Sequence, residues 1–199
     1  MRTVLMIYRP LSILALAYLG AACKAYQMPS TSMEPTILPG DYFFVVSSSD
    51  APARKEVVVY RLGVQVYTKR VGGVPGDTLS MTAGTLIVNG ETVDEPYARH
   101  DGEESRTAPE FTWQRRFLSN PRDSVRYHPT LTDWGPIVVP AGKYFILGDY
   151  RAESADSRYT GFIDGVNIFA RPTFIYFSRD RNGGGIRWNR IGRSIKNRV

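Results

Sequence analysis

The 199-residue sequence is poor in cysteine and histidine, and these shortages exclude several kinds of site. It contains one cysteine, Cys23, and two histidines, His100 and His128. A single thiol cannot form an internal disulfide, and it cannot supply the ligands of a zinc finger or a cysteine-held cluster. Both histidines lie in a polar segment without a surrounding motif, which is typical of surface side chains and disfavours a histidine-dependent hydrolase. We therefore expect neither a metal nor a cofactor.

Acidic residues are scarce at the C-terminal end, and the excess positive charge of the chain lies there. The sequence has 25 Lys+Arg and 19 Asp+Glu, a net charge of +6. Residues 179–199 contain seven basic residues and one acid, so they hold the whole excess. No aromatic stacking platform or recognition motif accompanies this charge, so no nucleic-acid partner is expected. The pattern favours contact with anionic membrane lipid, with a solvated tail as the alternative.

The N-terminus predicts a membrane anchor. Residues 11–23 are uncharged and mostly apolar, and extension back through residues 4–8 gives a run of 20 residues that includes Arg9 and Pro10 as interruptions. Because Arg9 lies near one end, its side chain can reach the interface, and a single transmembrane helix within residues 1–26 is predicted. The excess of Lys and Arg before this run places the N-terminus in the cytoplasm and the rest of the chain outside. A cleaved secretory signal and lipid attachment at Cys23 are the alternatives.

The remainder, residues 27–199, is predicted to be an all-β, barrel-like domain. Short runs of β-branched and aromatic residues alternate with glycine- and proline-rich turns, and Asn89-Gly90 is a strong hairpin signal. The predicted strands are 42–46, 56–62, 64–71, 85–88, 144–147 and 173–178. Residues from about 98 to 135 are polar and indicate an insertion on the sheet framework. The cluster Met33, Tyr42, Phe43 and Phe44 is a candidate lipid-contact surface, with burial in the core as the alternative.

Three polar blocks interrupt the predicted strands. They are MPSTSMEPTILPGD (28–41), YTKRVGGVPGD (67–77) and GDYRAESADSRYTG (148–161). Each block alone is an ordinary linker, strand end or charged loop. Together and in this order they resemble type I signal peptidases, the membrane-bound enzymes that remove leader peptides from exported proteins. The segment Glu95-Pro96-Tyr97 adds a shorter match, while Tyr150 stands where the family usually has asparagine, which we expect to tune the site without loss of activity.

The resemblance implies a serine–lysine mechanism, and the physical chemistry of the residues agrees. A serine needs a base to become nucleophilic, and with two histidines in the chain a lysine is the natural candidate. An ordinary lysine has a pKa of about 10.4, which burial among apolar side chains lowers. By the resemblance, Ser32 is the nucleophile and Lys69 the general base. Ser30 then contributes to the oxyanion hole with the Ser32 backbone N–H, and Ser154 hydrogen-bonds Lys69.

Four further residues have supporting roles by the same resemblance. Asp156 and Arg158 correspond to an ion pair of the family, and Arg70 and Asp149 to motif residues with structural roles. The implied function is a membrane-bound serine endopeptidase that cuts signal peptides from exported preproteins after small residues. The implied location is the bacterial inner membrane, with the catalytic domain on the outer face. The alternatives are a dedicated Ser/Lys peptidase that matures a conjugative pilin and a non-catalytic, membrane-tethered β-domain.

Overall fold

The computed structural model describes residues 23–101, 107–181 and 183–195. Most of the predicted anchor, residues 1–22, lies outside the described residues. None of the helices within the described ranges has both the length and the apolar character needed to cross a bilayer. The described chain contains eleven strands, and its α-helix α1 (Ser157–Thr160) is a single turn. The described chain is therefore β-rich, as predicted.

Eleven strands of the described chain form two antiparallel sheets. The strands are β1 (Cys23–Gln27), β2 (Asp41–Ser47), β3 (Val57–Leu62), β4 (Gln65–Gly73), β5 (Thr78–Thr82), β6 (Thr85–Val88), β7 (Glu91–Thr92), β8 (Trp134–Val138), β9 (Lys143–Leu147), β10 (Ile163–Asp164) and β11 (Ile168–Ser178). The larger sheet has the order β1-β2-β11-β3-β4-β9-β10, and the smaller has the order β7-β6-β5-β8. Closure of these strands into a barrel stays a prediction.

All six predicted strands are confirmed, with bounds that differ by a few residues. The largest difference is at β11, which begins at Ile168, five residues before the predicted start. The Asn89-Gly90 hairpin is confirmed as well: Val88 pairs with Glu91, and both turn residues have positive φ, as a two-residue turn of this type requires. Strand β1 begins at Cys23 and pairs with β2, so residues 23–26 of the predicted anchor segment form an edge strand.

Alternate side chains of strand β2 lie in the core. Phe43 and Val45 are buried in one apolar cluster with Met33 and Ile175, while Tyr42 and Phe44 lie on the opposite face and are partly exposed. Side chains alternate across a strand, so one strand serves both the core and the outer face of the sheet. The candidate lipid surface is therefore divided between the core and the outer face.

The polar insertion packs against the smaller sheet. It contains two 3₁₀ segments, Pro109–Phe117 and Pro121–Arg126, before β8 begins at Trp134. Its few apolar side chains enter one core cluster with residues of β5, β6, β8 and β9. The buried apolar residues that the insertion adds to this cluster before β8 are Ala108, Phe111, Leu118, Tyr127 and Leu131. A segment with predominantly polar composition thus contributes a continuous apolar layer.

Candidate active site

Ser32 lies in a turn between β1 and β2, and the fold brings it to Lys69 of β4. The Glu34 N–H donates to the Thr31 carbonyl at 2.8 Å, which closes a turn with Ser32 inside it. Lys69 pairs with Val58 in the β3–β4 ladder. Its Nζ donates a hydrogen bond to the Ser32 Oγ, across 37 positions of sequence. Both side chains are buried, with 5% and 4% of their surface exposed.

Burial controls the charge of Lys69. Desolvation lowers its pKa from 10.5 to about 8, and the neighbouring positive charge of Arg158 acts in the same direction. The carboxylates of Asp156 and Asp149 oppose this effect but do not cancel it. The first residues of β4 are exposed, and its C-terminal half is buried. Lys69 is the first residue of the buried half, so its side chain lies in the interior. The expected lysine base is therefore available near neutral pH.

The Ser30 side chain lies next to that of Ser32. Its Oγ lies 3.1 Å from the Ser32 Oγ, within hydrogen-bonding distance, and its side chain is exposed while that of Ser32 is buried. The two hydroxyls therefore lie close together, while the role of Ser30 in an oxyanion hole stays a prediction.

Ser154 is buried near the same site but does not make its predicted contact. Its Oγ has no hydrogen-bond partner among the described residues, so the expected bond to Lys69 is not formed. The hydroxyl packs instead against Gly148, where an added Cβ would lie 2.1 Å from it and 2.5 Å from the Ser32 carbonyl oxygen. Only glycine fits here, because the chain after β9 passes directly between Ser154 and the Ser32 backbone.

Arg70 and Asp149 form a buried bidentate ion pair that links β4 to the end of β9. Arg70 donates from Nε and Nη2 to the two carboxylate oxygens at 2.7 and 2.6 Å. The Thr36 hydroxyl donates to the same carboxylate, and the Arg70 guanidinium lies 3.7 Å from the centre of the Tyr97 ring. The pair thereby fixes the loop after Ser32 to the strand that carries Lys69, as its predicted structural role requires.

Asp156 and Arg158 form the predicted ion pair, also fully buried. Arg158 Nε donates to Asp156 at 2.9 Å, and the Gly148 N–H donates to the same carboxylate at 3.0 Å. Burial alone raises the pKa of Asp156, but the Arg158 charge and these hydrogen bonds outweigh it and hold the pKa below its ordinary value. Asp156 also caps α1 by accepting from the Arg158 N–H. The carboxylate remains ionised near Lys69.

Glu95 and Arg151 are site residues to which no role was predicted. Buried Arg151 donates to Glu95 at 2.7 Å and to the Gly148 carbonyl at 3.0 Å, and Tyr97 donates to Glu95 at 3.0 Å. The match at Glu95-Pro96-Tyr97 was the sequence signal for this network, but it does not indicate the partner Arg151.

Histidine and acidic side chains are the candidate ligands for a metal ion among the described residues. Both His100 and His128 are exposed, as predicted. Within residues 23–101, 107–181 and 183–195, no three His, Cys, Asp or Glu side chains are grouped so that they could hold a metal ion.

Comparison with known proteins gives consistent matches. The sequence model of the family described as "Signal peptidase, peptidase S26" matches residues 1–177. The "Signal peptidase I" of Bacillus licheniformis is 33% identical over 173 residues, which are 83% of this chain and 82% of that protein. The "Signal peptidase I T" of Bacillus subtilis strain 168 is 31% identical over 83% of this chain and 79% of its own length. A crystal structure of a signal peptidase I from Enterococcus faecalis V583 aligns at 29% identity with a TM-score of 0.38, covering 61% of this chain and 96% of that one.

Proposed function

The chain belongs to the signal peptidase family, peptidase S26, and we propose that Ser32 is its nucleophile and Lys69 its general base. As a signal peptidase I, it cleaves signal peptides from preproteins. The observation that carries the proposal is the buried hydrogen bond from the Lys69 Nζ to the Ser32 Oγ. A lysine with a pKa of about 8 can accept a proton at neutral pH, whereas an exposed lysine cannot.

The proposed mechanism has two half-reactions. Neutral Lys69 takes the proton of the Ser32 hydroxyl as the Oγ attacks the scissile carbonyl carbon. The resulting ammonium returns this proton to the leaving amine as the peptide bond breaks, which leaves an acyl-enzyme on Ser32. Lys69 then takes a proton from water, whose hydroxide oxygen attacks the ester, and the Ser32 oxygen leaves with the proton.

The proposed oxyanion hole consists of the Ser30 hydroxyl and the Ser32 backbone N–H. Its support is the 3.1 Å separation of the two hydroxyl oxygens, which places a donor beside the point of attack. Two donors aimed at a developing oxyanion stabilise the transition state, and removal of one costs about 10²–10³-fold in kcat.

The surrounding ion pairs have positioning roles in this proposal. The pair of Arg70 with Asp149 fixes the loop after Ser32, and the pair of Asp156 with Arg158 fixes Gly148 behind the nucleophile. Each carboxylate is nearly inaccessible to solvent, so a lost partner would leave a buried charge and distort the site. Ser154 contributes by packing against Gly148.

We propose that the apolar run before β1 anchors the enzyme in the membrane, with the catalytic domain on the outer face. The family is membrane-associated, and the apolar N-terminal run ends a few residues before Ser32. An outward aromatic face on β2 and β11 supports contact with lipid: Phe44 stacks on Tyr176 with ring centres 4.3 Å apart, and Phe174 is 42% exposed. Trp188, which is 73% exposed, provides a further interfacial side chain.

The test is cleavage of an exported preprotein by the purified full chain. We expect Ser32→Ala and Lys69→Ala each to lower kcat by more than about 10³-fold, since removal of a nucleophile or base leaves only residual catalysis. Lys143→Ala is the matched control, because it deletes a lysine from a surface ion pair with Asp164. Unchanged cleavage by either site variant would contradict the proposal. Failure of the wild type on a general preprotein would instead favour a dedicated peptidase for pilins.

A further inference from the structure

The turn that presents Ser32 is fixed from outside by the chain around Tyr150. The Tyr150 N–H donates to the Ser32 carbonyl at 3.2 Å, and Glu34 closes the same turn through its N–H. Both ends of the Ser32–Glu34 segment therefore have identified contacts. Displacement of either contact would move the nucleophile relative to Lys69.

Arg99 joins these two contacts. Its N–H donates to the Asp149 carbonyl at 2.7 Å and its carbonyl accepts from the Arg151 N–H at 2.9 Å, which places it beside Tyr150 in a parallel bridge. Its guanidinium lies 4.0 Å from the centre of the Tyr150 ring. From there, Nη1 donates to the Glu34 carboxylate at 2.8 Å. One side chain thus spans from the Tyr150 ring to the turn of the nucleophile.

We infer that Arg99 is a positioning residue, which holds the Ser32 turn through Glu34 and uses the Tyr150 ring as its platform. The inference rests on the proposed role of Ser32. It also explains the departure at Tyr150: asparagine has no ring face for a guanidinium, whereas tyrosine supplies one. The Asp101 carboxylate accepts from the Nε and Nη2 edge of Arg99, so the guanidinium is restrained by three partners.

The contribution is geometric rather than a large contribution to stability. The Arg99 side chain is 39% exposed and that of Glu34 is 19% exposed. Ion pairs at such positions contribute little to the free energy of unfolding. Catalysis is more demanding, because displacement of a reacting group by about 1 Å can cost about 10²-fold in rate. Loss of Arg99 should therefore change kcat without unfolding the enzyme.

The test is the kcat and KM of the full chain for a preprotein, normalised to titrated active sites. We expect Arg99→Gln and Glu34→Gln each to lower kcat about tenfold with KM within about twofold, as for a group displaced by part of an ångström. The double variant should be no slower than either single variant, because both remove one link. Lys143→Gln is the matched control, since its side chain is 38% exposed and it starts β9, about 13 Å along the strand from Leu147.

Tyr150 variants separate the ring from a general loss of structure. Tyr150→Phe keeps the ring and should lose less kcat than Tyr150→Asn, which removes the platform, restores the usual residue of the family and should be about tenfold slower than the wild type. A wild-type rate for Tyr150→Asn, additive effects of Arg99 and Glu34, or a raised KM with unchanged kcat would each overturn the inference. An active Ser32→Ala variant would contradict the proposed nucleophile itself, so the two failures are distinguishable.

Discussion

The pH dependence of cleavage is the sharpest consequence of a buried lysine base. With a pKa of about 8, Lys69 is neutral in about one tenth of the molecules at pH 7. With the ordinary value of 10.5, the neutral fraction would be about 0.03%, so burial increases the population of active base about 300-fold. We expect kcat/KM to rise almost tenfold per pH unit below pH 7 and to level off above about pH 8.5.

The measurement is kcat/KM between pH 6 and pH 10 on a peptide substrate without groups that titrate in this range. The midpoint of kcat/KM reports the pKa of the free enzyme, and circular dichroism at each pH serves as the control for folding. A rate that still rises about tenfold per pH unit at pH 10 would contradict the lowered pKa, since Lys69 would then behave as an exposed lysine. A flat profile would exclude a base that titrates in this range.

Three further variants test the interior of the site. Lys69→Met should raise the free energy of unfolding at pH 7 by up to about 3 kcal/mol in urea titrations, because a lowered pKa is a cost of folding below pH 8. This gain should shrink between pH 8 and 10.5, where the unfolded wild type binds more protons. Gly148→Ala should reduce activity more than about 100-fold in the preprotein assay, because the methyl group would displace the Ser32 carbonyl; near-normal activity would contradict this. Arg190→Gln should lower the unfolding free energy by about 3 kcal/mol, because Asp41 loses a buried partner, and an unchanged urea midpoint would refute this.

The sequence predicted the strands whose local composition is strongly β-forming, and it missed those that depend on their neighbours. Strand β8 contains Gly135 with positive φ followed by Pro136, so its local pattern indicates a turn. It is nevertheless a strand because Ile137 and Trp134 pair with β5 and enter the core. Strand propensity is decided largely by such tertiary packing, which a linear pattern does not contain.

The candidate site, like the strands, was predicted only in part. The motifs pointed to Ser32 and Lys69, and the fold brings these two side chains into a buried hydrogen bond. The predicted hydrogen bond from Ser154 to Lys69 was wrong, because the Ser154 hydroxyl packs against Gly148 instead. The contact of Arg99 with Glu34 spans 65 positions, so no periodicity or spacing in the sequence indicates it.

The basic C-terminal segment, residues 179–199, makes contacts that its sequence did not indicate. The sequence predicted that its charge faces lipid, yet Arg190 is 4% exposed and donates to both oxygens of buried Asp41. Arg187 donates to the Pro39 carbonyl, and Arg190 Nη2 donates to the Thr36 carbonyl at 3.0 Å. These contacts fix the segment that leads from the nucleophile turn into β2. At least part of the net charge of +6 therefore compensates buried Asp41 at the start of β2, and only the remaining cations are available to attract a membrane.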